Sequence, residues 1–331
     1  MIKGFIRSIK NWIFSDSIRE VIVILFVIFL IRTFGFGLYQ VPSGSMETTM
    51  LVGERFFADK FTILFSPPKH GDIISFNAPT FPYSKNWLVK LWQNYAWGPD
   101  NWTKRVIGVP GDTIKGVIED GKPVVYRNGV KLVEPYVNKY PLINVWKVDP
   151  LAYRKFLKDL SRYGNSSVEV LRERIAAQKF SDPYQPRSYD PSVSYEDQPF
   201  YRTDGSKVVR INEQGYPDFG RDGKIMLVNP DEAMSQNPER LVRKGRSYWS
   251  SSDEFYVELG DDEYWAMGDN RRGSFDSRFF GPVKSELIHG KILFRIWSLD
   301  SNESWWIVDL LKHPIDFWKR MRWGRFLQLV K

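Results

Sequence analysis

The first residues that could do chemistry lie in a short serine-rich stretch, VPSGSM at residues 41–46. Ser43 and Ser45 offer two hydroxyls, and the glycine between them lets the backbone approach a substrate closely. A serine hydroxyl becomes an effective nucleophile only when a neighbouring base takes its proton. Since Pro, Ser and Gly also fill ordinary turns, this stretch by itself fits either a nucleophile or a simple turn.

A histidine base has little support in this sequence. His70 lies in a polar turn, His289 follows a strand-like run and His313 lies in a basic tail, so each is typical of a surface or turn residue. The chain has no cysteine, which excludes thiol catalysis, disulfides and cysteine-ligated metals. Three scattered histidines without cysteine do not predict a zinc site either.

Lysine is the remaining base, and Lys104 begins the stretch KRVIGVPGD at residues 104–112. A lysine amine accepts a proton only when burial lowers its pKa toward neutrality. An apolar strand could hold this amine inside a dry sheet, or the lysine could lie in solvent at the strand edge. Ser66 and Lys69 of SPPK match an S-x-x-K pattern, but two prolines oppose the helix that would align them, and we reject that pair.

A third polar cluster, GDNRRGSFDSR, occupies residues 268–278. It is either a polar loop or a set of supporting groups for a reacting pair. In the second interpretation the Ser274 hydroxyl orients a base, while Asp276 and Arg278 hold the loop through a bidentate ion pair.

The elements that must position these residues begin with an apolar run, VIVILFVIFLI at residues 21–31. Extended to Leu38 the run has 18 residues, about 27 Å as a helix, and it predicts a transmembrane helix over 21–38. A cleavable signal peptide is the competing interpretation, but no Ala-x-Ala-like site follows the run. The positive-inside rule leaves residues 1–20 in the cytoplasm and everything after about residue 38 outside. The cations that set this orientation are Lys3, Arg7, Lys10 and Arg19.

The rest of the chain predicts a mainly β fold, with an antiparallel-sheet body that carries an inserted α+β lobe. Aromatic residues make up 16% of the chain, which favours strands, and Asn128-Gly129 within VVYRNGVKL predicts a hairpin. Residues 150–180 have helical spacing, and residues 181–205 are typical of a loop. We therefore assign residues 39–115 and 263–331 to the body and residues 116–262 to the lobe.

The net charge of +8 is concentrated near the C-terminus, where residues 312–331 carry a net charge of +5. Interleaved with Trp318, Trp323 and Phe326, these cations could bind anionic lipid headgroups or form a solvated basic face. No nucleic-acid-binding motif accompanies them, so we expect no nucleic-acid partner.

The three clusters, in this order after one apolar run, closely resemble the bacterial type I signal peptidase (leader peptidase) family, which are serine proteases with a Ser/Lys dyad. Further family-like stretches follow the family order: HGDIISF, YRNGVKLVEPY, ELGDDEYWAMGDNR and a final strand, MRWGRFLQLV. Where the family usually continues S-M-x-P-T-L, this chain has Thr48 in place of the proline.

The resemblance implies a role for each matching residue. Ser45 corresponds to the acylated nucleophile and Lys104 to its general base, while Ser43 and the Ser45 backbone N–H correspond to the oxyanion hole. Ser274 corresponds to the serine that orients the lysine amine. The supporting ion pair corresponds to Asp276 and Arg278, and the shallow pockets for small substrate side chains to Tyr39, Val41 and Thr103.

By the same resemblance, the chain is a membrane-bound serine endopeptidase that removes N-terminal signal peptides from exported preproteins after small residues, at Ala-x-Ala-like sites. It implies no metal or cofactor, preproteins and membrane lipids as partners, and a monomer. It also implies a single-pass protein of the bacterial cytoplasmic membrane with its catalytic domain on the outer side. Two alternatives stay open: a specialised peptidase for pilin or conjugation precursors, and an inert membrane-tethered binding protein.

Overall fold

The computed structural model describes residues 16–96, 98–143, 158, 187–194, 197–200, 208–209, 220, 226–228, 253–301 and 306–330. Its strands are β1 (Phe36–Gln40), β2 (Arg55–Asp59), β3 (Ile73–Asn77), β4 (Asn101–Gly108), β5 (Thr113–Glu119), β6 (Lys122–Arg127), β7 (Val130–Lys131), β8 (Leu142–Ile143), β9 (Arg187–Ser188), β10 (Val208–Val209), β11 (Leu227–Val228), β12 (Phe255–Glu258), β13 (Glu263–Met267), β14 (Val283–Lys284), β15 (Ile288–Trp297) and β16 (Gln328–Leu329). Its helices are α1 (Asp16–Leu30), α2 (Trp87–Tyr95), α3 (Ser277–Phe280), α4 (Trp306–Lys312) and α5 (Pro314–Lys319).

The largest sheet has eight strands in the order β1-β2-β15-β3-β4-β13-β14, with β16 also pairing with β15. Every pair in it is antiparallel. Side chains alternate between the two faces of a strand, and in β3 Ile73 packs into one buried cluster while Ile74 packs into another. Both faces of the sheet centre are therefore covered, and the predicted mainly β, antiparallel body is confirmed.

A second sheet, in the order β12-β5-β6-β7, packs against the first through a shared apolar cluster that includes Ile107, Ile114 and Trp265. The predicted hairpin is present: β6 and β7 are joined by Asn128-Gly129, both with positive φ, as a tight two-residue turn requires. Strand β5 crosses residue 116, the predicted start of the lobe. The helices predicted for residues 150–180 lie outside the described residues apart from residue 158.

The N-terminal helix ends earlier than predicted. Helix α1 ends at Leu30 and continues as one π-helical turn, Ile31–Gly35, after which Phe36–Leu38 belong to β1 and pair with β2. Gly35 and Gly37 disfavour a helix here, and the strand pairing satisfies the backbone instead. The large side chains of residues 21–31 are 38–60% exposed. In the part of the chain that is described, no helix is both long and apolar enough to cross a membrane.

Part of the C-terminal segment, residues 306–330, packs against the rest of the protein. Strand β16 has two residues, so the predicted final strand is short, and α4 and α5 pack on a buried cluster of Leu299, Phe317 and Met321. Arg320 forms a bidentate pair with Asp309, and Arg322 is buried. These two arginines are therefore held by the fold, whereas Lys312 and Lys319 of the same segment are exposed.

Backbone hydrogen bonds join the two ends of the loop that carries Ser45, and we call this point the neck of the loop. Val41 N donates to Glu54 O at 2.9 Å, and Gly53 N donates to Val41 O at 3.0 Å. The buried Glu54 carboxylate accepts from Arg295 and from Arg325. Burial by itself would raise the pKa of Glu54, but the two guanidinium groups outweigh it and hold that pKa below its usual value.

We expect Gly53→Ala to destabilise the protein more than Gly71→Ala. Both glycines have a positive φ, which costs an L-residue about 1–2 kcal/mol. A Cβ at Gly53 would also lie 2.0 Å from Leu299 O, whereas one at Gly71 would meet nothing within 4 Å. Urea unfolding followed by tryptophan fluorescence should show a loss of about 3 kcal/mol or more for Gly53→Ala. Equal losses in the two variants would contradict this account.

Candidate active site

Ser45 lies in a 3₁₀ turn, Gly44–Met46, between β1 and β2. The turn is buried, because Met46 enters the same apolar cluster as Val41 and Phe56. Ser43 precedes it in an extended conformation, and its Oγ donates to Ser45 Oγ at 3.4 Å. The two hydroxyls of the serine-rich stretch therefore point into one small region.

Lys104 lies in β4, between β3 and β13 near the middle of the main sheet, and is 5% exposed. Its Nζ donates to Ser45 Oγ at 3.0 Å and to the Thr103 carbonyl at 3.1 Å. The solvent-exposed strand-edge alternative left open by the sequence is therefore wrong. Two residues 59 positions apart in the chain meet as a buried hydroxyl–amine pair.

Burial lowers the pKa of Lys104 to about 8 because an ammonium loses its hydration inside the sheet. The Asp276 carboxylate opposes this effect, Arg278 adds to it, and Asp269 again opposes it. A substantial fraction of the amine is therefore neutral near pH 8 and can accept a proton from Ser45.

The loop that follows β13 holds the turn that carries Ser45. Asn270 N donates to Ser45 O at 3.0 Å, and Asn270 Nδ2 donates to Gly44 O at 2.9 Å. These two bonds fix the backbone on both sides of the Gly44–Ser45 peptide. The sequence places Asn270 inside a polar cluster, but nothing in its spacing singles it out.

Ser274 and Gly268 pack beside this turn. A Cβ on Gly268 would lie 2.3 Å from Ser274 Oγ and 2.5 Å from Ser45 O, so only glycine fits between them. Ser274 Oγ is buried and has no hydrogen-bond partner of ordinary geometry among the described residues. Its hydroxyl nevertheless helps to lower the pKa of the nearby Asp276.

Asp276 and Arg278 form the bidentate pair that the sequence predicts. Arg278 Nε and Nη2 donate to the two Asp276 carboxylate oxygens at 2.8 and 2.9 Å, and Arg278 Nη1 pairs with Asp253. Asp276 also accepts from Gly268 N at 3.0 Å. Although its burial would raise the pKa of Asp276, Arg278 keeps that pKa low, so the carboxylate stays charged.

A second buried ion pair also acts on the lysine, and the sequence does not predict it. Arg105 donates from Nε and Nη2 to Asp269 at 2.8 and 2.7 Å, and its guanidinium stacks over Tyr136 at 4.0 Å. Asp269 also accepts from Thr49 in the loop after Ser45. The sequence gives one indication of this pair: Arg105 lies in the KRVIGVPGD stretch and Asp269 in the GDNRRGSFDSR stretch, both of which carry candidate site residues.

The lobe reaches the nucleophile turn through one buried carboxylate. Glu47 accepts from Ser188 N and from Ser188 Oγ, both at 3.0 Å. Asn138 links the same serine to the loop after β13, since its Nδ2 donates to Ser188 Oγ and its N donates to Asp269 O. The turn around Thr48 is thus held by polar contacts at a site where the family usually has proline.

The three candidate substrate residues lie around the same turn. Val41 is buried in the cluster below Ser45, and Tyr39 packs against that cluster with its ring 5.7 Å from Lys60 Nζ. Thr103 pairs with Ser75 across β3 and β4, immediately before Lys104. Tyr39 lies in β1 and Val41 follows this strand directly. Because they are two positions apart in an extended segment, their side chains lie on the same face.

None of the three histidines forms a hydrogen bond with Ser45. His70 Nε2 lies 2.6 Å from Asp112 Oδ2 in the turn region after β4, His289 packs its ring against Tyr95, and His313 precedes α5. Across the described ranges, no group of three His, Asp or Glu side chains could hold a metal ion. The chemistry available at this site is a serine hydroxyl beside a desolvated amine, an arrangement suited to acyl transfer.

Comparison with known proteins agrees with this chemistry. The family model described as "Signal peptidase, peptidase S26" matches residues 14–173 and 202–297. Signal peptidase I of Buchnera aphidicola subsp. Acyrthosiphon pisum (strain APS) is 27% identical over 314 residues, covering 91% of this chain and 80% of that protein. Signal peptidase I of Aquifex aeolicus (strain VF5) is 27% identical over 277 residues, covering 83% and 81%.

A crystal structure of a signal peptidase I from Enterococcus faecalis V583 is also similar, with 17% sequence identity and a TM-score of 0.27. The match covers 68% of this chain and 97% of the Enterococcus faecalis chain. So weak a structural similarity carries no functional conclusion.

Asp276→Asn should lower the pKa of Lys104 further below its present value of about 8, because the carboxylate that favours the ammonium form is removed. Asp253→Asn is the matched control, since Asp253 also pairs with Arg278 but is not among the groups that shift Lys104. The titration can be followed by ¹³C NMR of lysine-labelled protein, with Lys104→Met for assignment. A pKa that stays or rises in Asp276→Asn would contradict the electrostatic account.

Proposed function

Since this chain belongs to the signal peptidase family, peptidase S26, and is a serine endopeptidase that removes signal peptides, we propose that Ser45 is its nucleophile and Lys104 its general base. The observation that carries the proposal is the 3.0 Å hydrogen bond between Lys104 Nζ and Ser45 Oγ inside the sheet. An inert relative would have no need for a desolvated amine at that distance from a hydroxyl.

In the acylation step, neutral Lys104 takes the Ser45 proton while Ser45 Oγ attacks the carbonyl carbon of the scissile peptide bond. Negative charge develops on the carbonyl oxygen as the tetrahedral intermediate forms. The Ser45 backbone N–H and the Ser43 hydroxyl stabilise that charge as an oxyanion hole. The Lys104 ammonium then gives its proton to the leaving amine, so the C–N bond breaks and the signal peptide stays on Ser45 as an ester.

In the deacylation step, Lys104 acts as base a second time. It takes a proton from a water molecule that attacks the ester carbonyl, and the proton returns to Ser45 Oγ when the signal peptide leaves. Ser274, Asp276 and Arg278 serve as positioning residues, because Asp276 and Arg278 hold the loop after β13 and Ser274 packs next to the Ser45 turn. The Asp276–Arg278 pair is close to neutral overall and so keeps the amine near its working pKa.

The substrate would bind as an extended strand along β1. This strand is at one end of the main sheet, so its outer edge has no partner strand among the described elements. A peptide can add to such an edge through backbone hydrogen bonds. Tyr39, Val41 and Thr103 then line shallow sites for small side chains, which suits preproteins with Ala-x-Ala-like cleavage sites.

The membrane would hold the enzyme next to its substrate. Helix α1 presents exposed apolar side chains, and Ser45 follows the last helical residue, Gly35, after only ten positions. We propose a single-pass protein of the bacterial cytoplasmic membrane, with the N-terminus inside, the catalytic body outside and the preprotein cut close to the bilayer surface.

The rate constant kcat/KM for a peptide with an Ala-x-Ala site should rise with pH and level off above about 8. Below the Lys104 pKa the amine is mostly protonated and cannot accept the Ser45 proton, so the rate should fall by about tenfold per pH unit. The profile is measured with purified full chain in detergent micelles. In Asp276→Asn the rise should move to lower pH in step with the NMR titration, and an unmoved profile would mean that another group is the base.

Ser45→Ala and Lys104→Met should each lower kcat by about 10³-fold or more, because either change removes one member of the reacting pair. Ser66→Ala and Lys69→Met are matched controls, since they make the same substitutions at exposed positions of the SPPK stretch. Cleavage of a preprotein is followed by gel electrophoresis and mass spectrometry. If Ser45→Ala or Lys104→Met retains wild-type cleavage, the assignment of the dyad is wrong.

A further inference from the structure

A polar cavity of about 400 Å³ opens away from the Ser45 turn, at the foot of the N-terminal helix. The π-helical turn after α1, the end of α2, and residues next to β2, β4 and β15 form its wall. The residues that matter here are Arg32, Thr33, Lys60, Asn94, Asn101 and His289. No Asp or Glu lines it, so its charged groups are both cationic.

Two buried polar atoms in this wall lack a partner among the described residues: Asn94 Oδ1 and His289 Nε2. Buried polar atoms are rarely left unpaired in folded proteins, and two in one cavity point to a ligand that supplies both a donor and an acceptor. The Lys60 ammonium is oriented by a hydrogen bond, because its Nζ donates to Arg32 O at 2.9 Å. That bond uses one of the three ammonium protons of Lys60 and leaves the charge available to the cavity.

The cavity lies between two apolar surfaces. On one side are the exposed side chains of α1, and on the other is α2, joined to the π-helical turn by a ring contact between Phe34 and Tyr95 at 5.6 Å. One face of α2 carries two exposed tryptophans and two exposed leucines: Trp87, Leu88, Leu91 and Trp92. Tryptophan favours the interface between headgroups and acyl chains, so this face sets the depth of the cavity in a bilayer.

We propose that this cavity binds the headgroup of a membrane phospholipid. Its phosphate lies against Arg32, Lys60 and His289, where the guanidinium, the ammonium and the imidazole N–H all donate to phosphate oxygens. Its hydroxyl or ammonium group, as in a glycerol or ethanolamine headgroup, donates to Asn94 Oδ1. The acyl chains then follow the exposed apolar side of α1. The inference rests on the proposed membrane attachment, but it does not depend on the Ser45–Lys104 dyad.

The imidazole of His289 reports directly on occupancy. Its burial, and then the nearby charge of Lys60, lower its pKa to about 4. A bound phosphate stabilises the imidazolium and raises that pKa. The chain has three histidines, so ¹⁵N NMR of the full chain in maltoside micelles gives few signals, and His289→Gln assigns the one that matters.

The test is a titration of this signal with dihexanoylphosphatidylglycerol and, separately, with inorganic phosphate. We expect the lipid to raise the His289 pKa at concentrations where inorganic phosphate has little effect. Lys60→Gln should weaken the lipid affinity about tenfold, whereas Lys69→Gln, which removes the same charge at an exposed turn, should not change it.

An unmoved His289 signal with both probes overturns the proposal, as does an equal loss of affinity in Lys60→Gln and Lys69→Gln. An equal response to inorganic phosphate overturns the assignment to a lipid. Wild-type cleavage of a soluble Ala-x-Ala peptide in lipid-free micelles tests the proposed function separately, so failure of one inference is distinguishable from failure of the other.

Discussion

The site depends on keeping one amine dry. Lys104 Nζ lies beside Ser45 Oγ in the middle of an eight-stranded sheet, and the loss of hydration is the largest effect on its pKa. A lysine at the surface would stay protonated at neutral pH and could only donate to the serine. The sheet therefore acts on the chemistry by excluding water, and the surrounding structure has to allow that exclusion without leaving other groups unpaired.

Charge around the amine is arranged in closed pairs. Arg105 pairs with Asp269 and Arg278 pairs with Asp276, and both pairs are bidentate and buried. A lone carboxylate at this depth would hold the lysine in its ammonium form, and a lone guanidinium would leave an unpaired buried charge. Because each pair is internally compensated, the field at Lys104 is modest and desolvation decides its protonation. The same pairs tie β4 and the loop after β13 to the turn that carries Ser45.

The sequence predicted local structure and site residues best at positions where few residue types can adopt the required conformation or chemistry. Asn128-Gly129 predicted its hairpin because few residues tolerate two consecutive positive φ angles. The Ser45 and Lys104 positions followed from motif order, and the structure brings them together. Asn270 could not be predicted, since a side-chain amide that donates to backbone carbonyls leaves no periodic pattern in the sequence.

The end of α1 differs from the prediction because hydropathy does not distinguish a helix from an edge strand at Phe36–Leu38. The sequence left Arg320, Arg322 and Arg325 either as lipid-binding cations or as part of a solvated basic face, because their acidic partners and backbone contacts cannot be identified from the sequence.

The clamp on Glu54 has a consequence for the order in which the enzyme becomes complete. Glu54 closes the neck of the Ser45 loop, yet one of the guanidinium groups that compensates it belongs to Arg325, 271 residues further along the chain. Ribosomes synthesise the loop long before they synthesise Arg325. Until Arg325 is present, the buried Glu54 carboxylate lacks one of its two guanidinium partners, so its burial beside the loop is less fully compensated. The final form of the loop that carries Ser45 therefore depends on a residue that is synthesised long after the loop itself.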